Sequence, residues 1–66
     1  MKAQLYIKNC IEDLVTEYNA SCSIVKPGIM AQLNGIERLL EYLGISLLIV
    51  ERDGLITYTL TFDTTN

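Results

Sequence analysis

The polar and apolar positions of this chain repeat with two different periods. From Ile45 to Phe62 (ISLLIVERDGLITYTLTF) apolar side chains alternate on either side of Asp53-Gly54, the pattern of two β-strands joined by a tight reversal. A two-residue type I′ turn needs φ > 0 at both central positions; Gly adopts this freely and Asp tolerates it. Such a turn sets the register: Arg52 opposes Leu55, Glu51 opposes Ile56, Val50 opposes Thr57, and so on outward to Ile45 and Phe62. In that register Ile45, Leu47 and Ile49 share a continuous apolar face with Tyr58, Leu60 and Phe62, suited to a core. The other face carries Ser46, Leu48, Val50 and Arg52 beside Leu55, Thr57, Thr59 and Thr61. A slip of one residue would set the apolar run of one strand against the mixed face of the other.

Ahead of the hairpin the period becomes helical. Ile7, Ile11, Leu14 and Tyr18 recur at spacings of four, three and four, flanked by Cys10 and Val15, and predict a helix over 2–19. Lys8 and Glu12 are spaced as an i, i+4 ion pair. Asp13 and Glu17 repel each other near the C-terminal end, where the helix dipole already disfavours anions. Asn19 to Ser23 (NASCS) is turn chemistry, with Asn19 suited to the left-handed conformation at a helix end. Cys22 to Val25 suits either a loop or a short third strand. A second helix is predicted over 27–43, where Ile29, Leu33, Ile36, Leu40 and Leu43 form a coiled-coil-like seam widened by Met30 and Leu39. Pro27 fits its first position and Gly44 the position after its end. Asn34-Gly35 falls inside it, and Gly costs about 1 kcal/mol relative to Ala in a helix. Either another backbone passes close to Gly35 or the helix breaks there; the seam running across it favours one helix.

These elements predict one α+β domain over 1–66, two helices followed by a C-terminal hairpin packed on them. A chain of 66 residues buries only about 60% of the surface its unfolded form exposes. With 50% hydrophobic and 20% charged residues, it is too apolar to be disordered and rich in apolar groups for so small an interior, which favours burial against another chain. Leu48, Val50 and Leu55 cluster on the second face of the hairpin. Tyr6 and Tyr42 lie off the helical seams, and Tyr is enriched in interfaces; Tyr18 and Tyr58 fall on core faces, where packing is expected to leave only their hydroxyls wet. The expected interface is therefore Leu48, Val50, Leu55, Tyr6 and Tyr42. The expected assembly is a homodimer, either joining hairpins edge to edge into a four-stranded sheet or packing helical seams into a four-helix bundle.

Candidate chemistry changes this picture little. The chain has no His, hence no imidazole base and no Ser-His-Asp or Cys-His arrangement. Cys10 and Cys22 without His do not make a zinc site, and Gly28, Gly35, Gly44 and Gly54 match no phosphate-binding spacing. Only carboxylates remain: Glu12, Asp13 and Glu17 on the first helix, Glu37 and Glu41 on the second. They would make an enzyme only by meeting around a cation such as Mg²⁺ in a site shared between subunits; as solvated helix faces they need no such role. No catalysis, cofactor or metal is expected.

The net charge is −3, and Lys2, Lys8, Lys26, Arg38 and Arg52 are scattered, so no basic surface for nucleic acid is expected. The one alternative is a winged-helix-like binder. It would need a break at Asn34-Gly35, a strand at Cys22 to Val25, and Ile36 to Leu43 (IERLLEYL) as reading helix, a segment with one Arg and two Glu. There is no basic start followed by a long apolar run, and nothing near the roughly 20 apolar residues of a membrane span. The expectation is a cytoplasmic protein with reduced cysteines, a small protein–protein interaction or regulatory module acting as a homodimer.

Overall fold

A computed structural model describes residues 2–62. Helix α1 spans Lys2–Ala20 and helix α2 Lys26–Tyr42; strands β1 (Ile45–Arg52) and β2 (Leu55–Phe62) form a two-stranded antiparallel sheet. The architecture is the expected α+β order, two helices and then a hairpin packed against them. Asp53 and Gly54 hold φ of 56° and 80°, the left-handed pair a type I′ reversal requires. The register runs from Arg52 opposite Leu55 to Ile45 opposite Phe62.

The helices form one layer and the hairpin the other, α1 lying against β2 and α2 against β1. Ile11, Val15 and Tyr18 from α1, Ile29, Leu33 and Leu40 from α2, and Leu47 and Ile56 from the hairpin are buried between the layers. Ile7, Leu14, Met30, Ile36, Ile45, Ile49, Tyr58 and Leu60 pack around them. The predicted seam of α2 is trimmed at its C-terminal end: Leu39 and Leu43 are 66% and 69% exposed. Leu43 is the C-cap, where the backbone leaves the helical geometry. Gly44 follows with φ 77°, its N–H donating to the Glu41 carbonyl, so α2 ends where a residue without Cβ permits the turn into β1.

Three local points that the sequence leaves open are resolved. Residues 22–25 are not a strand. The Cys22 carbonyl accepts the N–H groups of Val25 and Lys26 at 3.1 and 3.3 Å, so the segment satisfies its own backbone groups and winds straight into α2. This puts Lys26 first in the helix and Pro27 second. Helix α2 runs unbroken through Asn34-Gly35, yet no backbone approaches: a Cβ on Gly35 would meet nothing within 4 Å. Burying Ile29, Leu33 and Leu40, at about 1.5–3 kcal/mol each, outweighs one exposed glycine. Asn19, expected as a left-handed cap, is helical and serves another purpose. The Cα radius of gyration is 12.3 Å and the extents are 42 × 18 × 17 Å. A domain of this length is expected near about 11 Å, so the molecule is an elongated slab. No helix among the described residues is long and apolar enough to cross a membrane.

Candidate interaction surface

The hairpin is clasped to the helices at its turn. In a two-residue hairpin the residues flanking the turn exchange both backbone bonds, and hydrogen-bonded pairs then alternate with non-bonded ones. Glu51 and Ile56 form a non-bonded pair, so the N–H and C=O of Ile56 point outward from β2. Asn19 meets both: its Oδ1 accepts the Ile56 N–H at 2.7 Å and its Nδ2 donates to the Ile56 carbonyl at 3.0 Å. The first residue of α2, Lys26, donates from Nζ to the Gly54 carbonyl at 2.6 Å and lies 5.1 Å from the centre of the Tyr18 ring. The Tyr18 hydroxyl donates to Glu51 at 3.5 Å. Sequence reading missed Asn19 and Lys26, because their partners lie 37 and 28 residues away and no local pattern marks them.

The tyrosines on core faces keep polar tips. Tyr18 is 6% exposed, and its hydroxyl is held above the ordinary pKa of 10.0, first by burial, then by the Glu51 charge and the bond donated to it. The Tyr58 hydroxyl donates to Glu12 Oε1 at 3.1 Å; burial, then that bond, then the Glu12 charge raise its pKa too. Glu12 also pairs with Lys8 at 3.9 Å, the spacing anticipated on α1. Cys10, half-buried, and Cys22, exposed, are free thiols. The carboxylates of the two helices do not converge: among the described residues no group of three acidic, Cys or His side chains could hold a metal ion.

Among the described residues no element covers the outer face of the hairpin. Leu48, Val50 and Leu55 are 58%, 52% and 52% exposed and lie on adjacent strands, with Thr57, Thr59 and Thr61 completing the face. Tyr6 and Tyr42 are still more exposed but belong to the helix layer, so the five residues expected at an interface fall on two surfaces. Leu5, Leu39 and Leu43 add further exposed apolar area on the helices. At the open end of the hairpin, Glu37 and Glu41 of α2 overlook a cleft of about 570 Å³ lined also by Gly44, Ile45, Ser46, Leu47, Thr61 and Phe62.

Comparison with known proteins adds nothing to this geometry: no family model matches the chain, and no curated protein or solved structure resembles it.

Proposed function

We propose that this chain is a small cytoplasmic protein–protein interaction or regulatory module that acts as a homodimer, by binding rather than by catalysis. One observation carries the reading: the apolar cluster of Leu48, Val50 and Leu55 on a sheet face that no other element among the described residues covers.

Packing geometry favours pairing through this face over the two routes expected from sequence. The helical seams are already spent on the hairpin, since Ile11, Val15, Ile29 and Leu33 are buried against it, so they are not free to build a four-helix bundle. Edge-to-edge joining meets a steric obstacle. Packed helices sit about 8–10 Å apart and paired strands about 4.8 Å apart, so two helices overhang two strands on both sides. A second copy approaching either edge would bring its own helix layer into that overhang. The outer face has no such obstacle, and two sheets can stack there about 10 Å apart.

The winged-helix reading loses its premises, because α2 is continuous and residues 22–25 form a turn. Light scattering over a dilution series tests the proposal. A mass twice 7.4 kDa at high micromolar concentration, falling on dilution, is expected; a constant monomer mass would overturn it.

A further inference from the structure

We propose that the free edge of β1 docks an extended peptide segment, antiparallel to β1, that carries a lysine or arginine near its C-terminal end. The two edges of the hairpin are not equivalent. On β2 the outward N–H and C=O of Ile56 are taken by Asn19, which interrupts that edge near the turn. On β1 the outward groups belong to Ile45, Leu47, Ile49 and Glu51, the residues whose cross-strand pairs exchange no backbone bonds. Among the described residues no side chain or loop bonds to any of them. From Ile45 to Val50 the edge contains no charge and no proline, the devices by which proteins protect an edge against strand addition.

The overhang that excludes a second copy admits a bare strand, which has no helix of its own and fits beneath α2. Electrostatics select the strand. Glu37 and Glu41 look over the β1 end of the cleft. Helix α2 has no basic residue in its last turn, so the negative end of its dipole adds to those carboxylates. Arg38 borders the same two carboxylates but makes no ion pair with either among the described residues, so two carboxylates and a helix C-terminus face one cation. The start of β1 keeps a net negative charge, and the C-terminal part of an antiparallel strand lies beside it. Backbone bonds would supply affinity, and the cation would set polarity and selectivity, as in other strand-addition complexes.

The test uses the full chain and synthetic eight-residue strands of alternating valine and threonine, with lysine or glutamate as the seventh residue. Amide exchange by NMR should slow at Ile45, Leu47 and Ile49 on adding the lysine peptide. That peptide should bind at least about fivefold tighter than the glutamate one, a preference lost in the Glu37→Gln/Glu41→Gln double variant. A peptide N-methylated at alternate residues should not bind. Slowing at Tyr58 and Leu60 instead, no slowing, or equal binding of both peptides would overturn the proposal. Sedimentation of the same samples separates it from the homodimer reading: a monomer that binds the peptide sinks only the dimer, and a dimer that ignores it sinks only the docking edge. A dimer dissociated by the peptide, with exchange slowed at Ile45, Leu47 and Ile49, would mean that copies join through β1 and would sink the face-to-face pairing while upholding the docking edge.

Discussion

Asn19 shows how much one side chain can carry in so small a fold. Its amide satisfies two outward backbone groups of Ile56, a residue that is itself 1% exposed. Asn19→Ala leaves both groups to water or unpaired and should destabilise the chain by about 1–3 kcal/mol, read as a lower urea midpoint with unchanged slope. Asn19→Asp should cost less than Ala, because it keeps the acceptor for the N–H and loses only the donor. Gly35 is the opposite case, a residue that costs stability without visible return. With helical backbone and open space around a would-be Cβ, Gly35→Ala should stabilise by up to about 1 kcal/mol. Loss of stability instead would mean that another chain approaches this face. The role of Asn19 was not legible beforehand: an asparagine after a helical run is compatible with a left-handed cap or with a distant clamp, and only the position of Ile56 decides between them. The continuity of α2 through Gly35 was legible, because the apolar seam runs across it; the open space around Gly35 was not, because it depends on what packs nearby.

At the scale of elements the sequence was far more legible, because periodicity and turn chemistry agreed. The register of the hairpin followed from two residues, Asp53 and Gly54, and from alternation that places Leu47 and Ile56 on one buried face. Gly54→Ala forces a Cβ into φ +80° and should cost about 1–2 kcal/mol. The added methyl itself would make only an ordinary contact with Lys26 Nζ at 3.7 Å, so backbone strain and not crowding sets the loss. What periodicity left open were the width and the end of the seam: Leu39 flanks it yet is exposed while the next residue, Leu40, is buried, and Leu43 falls at the C-cap, exposed as well. The junctions between elements also titrate. Tyr18 and Tyr58 are held neutral above their ordinary pKa of 10.0 by burial and by Glu51 and Glu12. A folded-state pKa raised above the unfolded one contributes stability that is fully present below about pH 10 and is lost as pH rises through the folded value. Thermal midpoints measured from pH 9 upward should therefore fall through and above pH 10, and fall less steeply in Tyr58→Phe. An equal slope in that variant would show that the Tyr58–Glu12 contact does not couple α1 to β2.

For the whole molecule the question is what the outer sheet face does in water. A two-stranded sheet has only one covered face here, and a lone hairpin is marginal without such cover. The core that holds it is small, with three side chains, Ile11, Leu33 and Ile56, almost fully buried. Pairing through Leu48, Val50 and Leu55 would add burial where the monomer is thinnest and would make stability depend on concentration. Leu48→Glu separates the two contributions. Leu48 is more than half exposed in the single chain, so the substitution buries no charge within a subunit and should change monomer stability by no more than about 0.5 kcal/mol. In a face-to-face pair it would set two carboxylates in the apolar centre of the interface, at a cost of several kcal/mol unless they take up protons. The expected result is a monomer with the wild-type circular dichroism spectrum, whose thermal midpoint no longer rises with protein concentration. Because protonation relieves the penalty, part of the dimer should return as pH falls toward 4. Thr61→Glu, on the same face but opposite Ser46 and away from Val50 and Leu55, should weaken association less. If Leu48→Glu leaves the mass and its concentration dependence unchanged, the face lies in solvent. Any association must then run through the helix layer, where Leu5, Tyr6, Leu39 and Tyr42 are exposed.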